Sequence, residues 1–545
     1  MNHFANQKIK IIIFLLIINF ILSFATIYYE NYWYIFIIIL ALSTFMNSIY
    51  AISLWLYILK KKEIKCIDNS KKNLAILVPV YNESEDEIMK TLNSIYNQKE
   101  LSNNKILFII CDGNKKTSDV LLKMLNNNIS EKHFLNRAYR SWNNKLENIE
   151  INLGFINGMN FCIITKEKNI GKRDTLCLIR RILFYYNNKT IQNNVYQDKI
   201  NNLFSKEFIN IIICFMNRCF INNEINLDIL INDNDNDIID NNIDNSIIII
   251  DDNINTNIDY IYGTDADTEL DEYCIKNLLD DISNCDDNTI AIVGLVDVNI
   301  SEIKFNLLKM IQYAEYMIAQ CLRRNFQSNF TKKVNCLSGC NQLIRICEET
   351  CGEEIMEQFN MKPTPKQNIF HQVLKYSSED RNHITLMFQL YPYIKTIQSL
   401  KSIVYTNVPL NLKIYLSQRK RWSLGSFTND ILLLFNINHN KLERFQSLIN
   451  IIIHLITPFI TVATIQFVIN VIKNPNMLML YLSIIMIIPF CYNLTIPYIK
   501  LDNINKKYYY MCYLLYLLFS PILSIITFLY TLINLDNFSW NIYNI

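Results

Sequence analysis

The sequence predicts an α/β domain set between membrane-crossing helices. Three observations predict it: apolar stretches of bilayer length at both ends, short apolar runs in the middle that end in acidic residues, and a lysine distribution that puts the middle on one side of a membrane. A chain of 545 residues has room for one or two domains plus spans. Hydrophobic residues make up 51% and charged residues 19%, with a mean hydropathy of +0.10. The formal charge of +2 supplies no basic field, so nothing points to a nucleic-acid partner. The fifteen cysteines have no zinc-site spacing and read as reduced thiols and small apolar fillers.

A bilayer core takes about 20 apolar residues of helix. Five stretches reach that length: 11–29, 33–59, 445–472, Met477–Ile499 and 508–535. Lys8 and Lys10 ahead of the first also fit a cleaved signal peptide, but the stretch is long and ends in Tyr28-Tyr29 without a small-residue cleavage site. Residues 208–216 are apolar but too short to span, and read as buried core. Lys60, Lys61, Lys62 and Lys65 follow the second span, whereas only Glu30 and Asn31 lie in the hairpin before it, which places residues 60–444 in the cytosol. Lys441, Arg444, Lys500, Lys506 and Lys507 agree. With five spans the C-terminal tail falls on the far side; a re-entrant segment would reverse that. The domain division is therefore two helices in 1–62, a cytosolic domain in 63–415, an interfacial amphipathic segment in 416–444 and about three helices in 445–545.

Within the cytosolic part, Leu74–Val80 has the composition of a parallel strand buried on both faces. Asn82-Glu83-Ser84 then caps a helix whose first turn is acidic (Glu85, Asp86, Glu87) and whose apolar face carries Ile88, Leu92 and Ile95. Residues 106–111 form a second strand ending in Asp112-Gly113. Ligands of an open α/β sheet gather beyond the carboxyl ends of its strands, so Asn82, Glu83 and Asp112 project toward one site. Residues 187–258 interrupt this pattern, and from 231 onward the chain is almost entirely Ile, Asn and Asp. That tract reads as an acidic, poorly ordered insertion rather than a metal site.

Chemistry resumes at Gly263-Thr264-Asp265-Ala266-Asp267, where a strand delivers two carboxylates at i and i+2. A divalent cation bridging a diphosphate takes hard oxygen ligands and few protein carboxylates, and such a cation stabilises a departing nucleoside diphosphate. Glu379-Asp380-Arg381 offers Asp380 as a base for an acceptor hydroxyl, although spacing alone equally fits a solvated helix start. Gln418-Arg419-Lys420-Arg421-Trp422, just ahead of the third apolar stretch, can hold a diphosphate and stack on a sugar ring. By itself it also reads as an interfacial belt.

The order of these segments resembles that of family-2 processive glycosyltransferases, and more closely that of chitin synthases. Gly171-Lys172-Arg173-Asp174-Thr175 is similar to their GKRD(S/T) segment, and Cys336-Leu337-Ser338-Gly339-Cys340 to CLPGC. Gln312-Tyr313-Ala314-Glu315-Tyr316 is similar to QxxEY, Glu379-Asp380-Arg381 to EDR, and Leu416 to Trp422 (LSQRKRW) to LSQRRRW; Ser539-Trp540 resembles the start of SWGT. The resemblance implies a mixed, mostly parallel GT-A-like sheet flanked by helices. It also implies an enzyme that draws on UDP-GlcNAc and extrudes a growing β-1,4-linked chitin chain through the lipid bilayer of the plasma membrane or secretory vesicles. By the same resemblance Glu83, Asp112, Lys172 and Asp265 hold the donor, with Asp112 at the uracil, and Asp265 and Asp267 hold Mn²⁺ or Mg²⁺. Asp380 is the base. Glu379, Gln418, Arg421 and Trp422 lie between diphosphate and acceptor, and Leu337, Ser338, Gly339 and Cys340 form a gating loop. A homodimer is left open.

Three departures stand out: Ser338 for Pro, Lys420 for Arg, whose planar fork is lost, and Asn541 where Gly-Thr would follow Trp540. The chain also carries no long regulatory region ahead of its first span, which reads as a minimal version of the enzyme. Two other readings remain at this stage, a hyaluronan- or cellulose-type synthase and a catalytically inactive assembly protein. The cysteine pair and the GKRD segment speak against the first, and the intact acidic and QxxRW residues against the second.

Overall fold

The computed structural model describes residues 2–29, 33–60, 72–101, 104–113, 115–188, 194–221, 257–300, 305–364, 366–473, 476–499 and 506–538. Lys61, Lys62, Lys65 and Lys500, most of the Asn/Asp tract and Ser539-Trp540-Asn541 lie outside the described residues.

Two apolar helices come first, α1 (Asn2–Tyr28) and α2 (Trp33–Lys60). The α/β domain opens with β1 (Leu74–Val80), α3 (Glu85–Tyr96), β2 (Lys105–Asp112), α4 (Lys115–Leu125), β3 (Ile129–Arg140), β4 (Leu146–Ile156) and β5 (Met159–Lys166). Next come α5 (Lys172–Asn187), α6 (Asn194–Leu203), α7 (Lys206–Ile221), β6 (Tyr260–Gly263), β7 (Thr268–Leu270), α8 (Cys274–Ser283), β8 (Thr289–Val298) and α9 (Leu307–Ile318). It closes with β9 (Gln342–Arg345), α10 (Glu348–Cys351), α11 (Glu353–Asn360), α12 (Ile369–Tyr376), α13 (Glu379–Leu390) and β10 (Lys395–Thr406). Five helices follow: α14 (Leu412–Phe435), α15 (Lys441–Leu455), α16 (Thr457–Lys473), α17 (Met477–Ile499) and α18 (Lys506–Ile533).

The ten strands form one mixed sheet in the order β3-β4-β5-β2-β1-β6-β9-β8-β10-β7. Its centre is parallel: β5, β2, β1 and β6 run together, as do β8 and β10, with β9 antiparallel between the two groups. The alternation of β1 explains why it lies in the middle. Ala75 and Leu77 enter one core with Phe108, Ile179 and Leu183, while Leu74, Ile76 and Val78 enter the other with Ile88, Leu92 and Leu278. Ser84 caps α3 in a reciprocal box with Glu87, which fixes where β1 ends and the helix begins. This α/β sheet set between apolar helices is the class the sequence predicts.

Two expectations are corrected. Within the 187–258 insertion, Asn194–Leu203 and Lys206–Ile221 form helices α6 and α7. Phe208, Ile212, Phe215 and Met216 of α7 form an apolar stripe that packs into the core, as the 208–216 reading anticipates. The 445–472 stretch is not one straight helix, because α15 and α16 meet at 87°. Pro458 has no N–H to continue the α15 ladder, and Gln446, Ser447 and Asn450 turn α15 toward polar partners on neighbouring helices. Asn19 of α1 satisfies the break: its amide donates to Leu455 O (2.9 Å) and accepts from Phe459 N (3.1 Å).

Among the described residues, four helices are long and apolar enough to cross a membrane, or up to five if the bent pair counts as one span. Both ends of α18 have partners in other elements. Tyr508 near its start stacks edge-on with Tyr313 of α9, while Leu535 beyond its end is buried with Ile369, Val373 and Leu424. Asp536 pairs with Lys8 at 2.8 Å, and Asn537 O accepts from Lys420 at 3.0 Å. A zero-length carbodiimide crosslinker is expected to join the Lys8 amine to the Asp536 carboxylate as an amide, read out by mass spectrometry of the joined peptides. Labelling of the two positions from opposite membrane faces would contradict the arrangement.

Candidate active site

Beyond the carboxyl ends of β1, β2 and β6, the expected acidic residues converge with the start of α5 and the start of α13. Glu83 follows β1 and folds back on its own turn, accepting from Tyr81 N at 2.7 Å and Asn82 N at 3.0 Å. Burial pushes its carboxyl up, against those bonds. Asp112 ends β2 and is almost fully buried; its carboxylate accepts from Ile170 N (3.2 Å) and Gly171 N (2.7 Å). It therefore holds the turn that presents Lys172, the first residue of α5. Buried Lys166 ties the same region together, donating to Asp174 and Thr175 at 2.8 Å each and lying 3.5 Å from Asp112.

Lys172 is the cation at the centre. Its ammonium lies 2.6 Å from Asp265 and 3.9 Å from Glu379. Burial alone would discharge it, but Asp265, Asp380 and Glu379 outweigh that and hold its pKa well above the ordinary value. Asp267 lies two residues on from Asp265. Burial, then the charges of Asp265 and Glu83, push its carboxyl up to about 7. Two carboxylates that disfavour each other's charge, on a turn after a buried strand, are a donor set suited to a hard divalent cation that takes its other ligands from a diphosphate and water. Among the described residues no group of three or more His, Cys, Asp or Glu forms a self-sufficient metal cage.

Asp380 sits in the first turn of α13, so it is part of a helix-start cluster, yet that cluster is buried in the cleft rather than solvated. Oδ2 accepts from Gly339 N at 3.0 Å, and Oδ1 is buried without a hydrogen-bond partner. Gly339 is the residue that permits this, since a Cβ there would lie 2.7 Å from Oδ2. Burial pushes the Asp380 carboxyl up, Lys172 pulls it back and Glu379 and Asp265 raise it again, to about 6. Thus the 337–340 loop meets Asp380 through Gly339, with Leu337 fully buried, while Ser338 O closes the loop by accepting from Asn341 N at 3.0 Å and Cys340 is half-buried behind it.

The QxxRW segment forms the middle of α14 instead of a separate interfacial piece. Gln418 accepts from Arg419 at 3.0 Å, and Trp422 is 43% exposed with its ring 5.8 Å from that of Tyr316. Arg421 stands one residue before Trp422. Sequence reasoning gave Arg419 no role of its own within the segment, yet it is buried and held by several partners. Its guanidinium pairs with Glu315 at 2.7 Å and lies 4.2 Å from the Trp422 ring centre and 4.8 Å from that of Tyr415. Lys166 and Arg173 were missed as well. Arg173 reaches from α5 to Asn382 of α13 at 2.8 Å. Arg419, Glu315, Tyr415, Ser423 and His454 also line a cavity of about 280 Å³ between α9, α14, α15 and α18.

An acidic cleft at the strand ends, fed by one buried lysine and standing on apolar helices, is the apparatus of a membrane-associated glycosyltransferase. Residues 52–543 match the family described as chitin synthase. Chitin synthase 8 of Gibberella zeae is 30% identical over 98% of this chain and 77% of its own length. Chitin synthase 8 of Verticillium dahliae is 28% identical over 86% and 76%. Among solved structures, the mannosyltransferase PcManGT from Pyrobaculum calidifontis, in complex with GDP-Man and Mn²⁺, aligns over 90% of this chain and 97% of its own at 11% identity, with a TM-score of 0.43. The chain belongs to the chitin synthase family and is a chitin-synthesising glycosyltransferase.

A methyl group at position 339 would push the Asp380 carboxylate off its backbone donor. Gly339→Ala is expected to lower transfer about 100-fold while leaving UDP affinity within about two-fold, since a misplacement near 1 Å costs this much; turnover and equilibrium binding on the same preparation check it. The pH profile is a second check. A carboxyl held near 6 is an ionised base above that value and loses this function as pH falls through it. Activity should therefore fall on the acid side around pH 6, and Glu379→Gln, which removes a charge that raises Asp380, should move that limb to lower pH.

Proposed function

We propose that the enzyme transfers N-acetylglucosamine from UDP-GlcNAc to a growing β-1,4-linked chain with inversion, and that it does so processively. The observation that supports this best is the Asp380 carboxylate, with Oδ2 pinned by Gly339 N and Oδ1 bare and buried. In the transfer, the acceptor hydroxyl gives its proton to Asp380 Oδ1 as its oxygen bonds to the anomeric carbon. The bond from that carbon to the diphosphate breaks, and the electron pair leaves with UDP. Lys172 faces the leaving side and stabilises the charge that develops there. Asp265 and Asp267 would hold Mn²⁺ or Mg²⁺, which when bound supplies further neutralisation of the diphosphate. Because Gly339 is the backbone donor to the base, gating by the 337–340 loop would act by moving that donor.

Processive extrusion is supported by the position of α14. The helix carries Gly425 against Ser378 at the start of α13, and Tyr415, Arg419 and Ser423 into the membrane-side cavity. One rigid wall thus connects the base to a polar and aromatic passage suited to sugars. With the lysine distribution of the sequence, this favours a cytosolic catalytic domain in an integral protein of the plasma membrane or secretory vesicles.

Membranes containing the protein, supplied with labelled UDP-GlcNAc, UDP-glucose or UDP-glucuronate and Mn²⁺ or Mg²⁺, are expected to make polymer from UDP-GlcNAc alone, and chitinase should degrade it. Polymer from another donor, or chitinase-resistant product, would overturn the donor assignment. Asp380→Asn is expected to lose about 10²–10⁴-fold in turnover, the span usual for a general base, with UDP still bound.

A further inference from the structure

The buried carboxylate of Asp430 belongs to none of the segments that carry the donor or the base. It lies on α14 with 1% of its surface exposed. Asp430 Oδ1 accepts from Arg381 at 2.9 Å and from Ser447 at 3.2 Å, and Oδ2 from Asn450 at 3.1 Å and Ser426 at 3.4 Å. Arg381 also donates to Ser426. A buried acid is stable only when paired and hydrogen-bonded this fully, and each donor here comes from an element that matters for geometry. Arg381 is the residue next to Asp380 on α13. Ser447 and Asn450 are on α15, and Asn450 accepts from Gln446 (2.8 Å), which in turn accepts from Tyr50 of α2 (2.6 Å).

A second contact clamps the same two helices. Gly425 brings the α14 backbone against Ser378, where a Cβ would lie 1.7 Å from Ser378 Oγ. Ser378 adopts a left-handed conformation (φ 52°) immediately before α13, so the chain turns sharply to deliver Asp380 while pressed against α14. Asn382, one turn into α13, donates to Asn429 at 3.3 Å and accepts from Arg173 at 2.8 Å.

We propose that Asp430 is a positioning residue for sugar transfer, fixing Asp380 through Arg381 while anchored to α15 and α2. The inference rests on the base role given to Asp380 above. It makes the geometry of the base depend on the helices that frame the membrane-side cavity, rather than on the α/β domain alone.

The test uses the full-length protein in detergent or nanodiscs, with turnover counted per UDP-binding site so that unfolded molecules drop out. Asp430→Asn is expected to lower kcat about 100-fold, the scale of a misplacement near 1 Å, with donor KM and UDP affinity within about two-fold. Arg381→Gln should do the same, and the double variant should be no worse than the worse single one, as for residues acting through one contact. Turnover in Asp430→Asn within about two-fold of the parent, or losses that multiply in the double variant, would overturn the proposal. If Asp430→Asn no longer binds UDP, Asn450→Ala replaces it, removing one donor without touching α14. A several-fold loss of kcat at constant KM supports the proposal, and unchanged kcat overturns it. Asp380→Asn run in parallel separates the two assignments. Full activity there sinks the base reading, whereas an inactive Asp380→Asn beside a fully active Asp430→Asn sinks the positioning role alone.

Discussion

Carboxylates in excess, gathered around one buried lysine, are the constraint that the rest of this structure serves. Glu83, Asp265, Asp267, Glu379 and Asp380 reach one cleft, and Lys172 contacts Asp265 and Glu379 within it. Like charges in a shared low-dielectric site raise one another's pKa and resist full ionisation. The cleft is therefore poised to take up positive charge, or a ligand that brings it. Burial first, and that imbalance after it, displaces Asp267 and Asp380 upward, while Asp112 and Lys166 hold the lysine turn in place.

The second constraint is mechanical. In the base role proposed for it, Asp380 has to be buried yet leave one oxygen bare, which requires close backbone approach on two sides. Gly339 provides it from the loop after α9, and Gly425 provides it from α14. Because α14 also lines the membrane-side cavity, the site cannot be built by the α/β domain in isolation. The apolar helices complete it. Asn19 of α1 stitches the α15–α16 break and Tyr50 of α2 ends the chain of hydrogen bonds that starts at Arg381, so even the first two helices bear on catalytic geometry.

Much of this was legible in the sequence because it is local. Leu74–Val80, the Ser84–Glu87 cap, the two-residue spacing of Asp265 and Asp267, and the apolar stripe of α7 follow from periodicity and capping alone. What stayed hidden depends on partners far along the chain. Asp112, which the resemblance places at the donor, also accepts from Ile170 and Gly171, 58 and 59 residues away, contacts that no spacing announces. Arg419 and Glu315 are 104 residues apart, and neither is unusual until two helices are side by side. The α15–α16 break lay inside a largely apolar run, where Pro458 and scattered polar residues such as Asn450, His454 and Asn470 were the local hints of a turn.

The claim that the excess carboxylates of the cleft take up a divalent cation together with the diphosphate is tested most directly by titrating UDP into the purified protein with and without Mn²⁺. The account predicts that Mn²⁺ tightens UDP binding by about ten-fold or more, equivalent to about 1.4 kcal/mol, and that Asp267→Asn abolishes this gain while Asp380→Asn preserves it. Equal UDP affinity with and without the cation in the parent protein would contradict it.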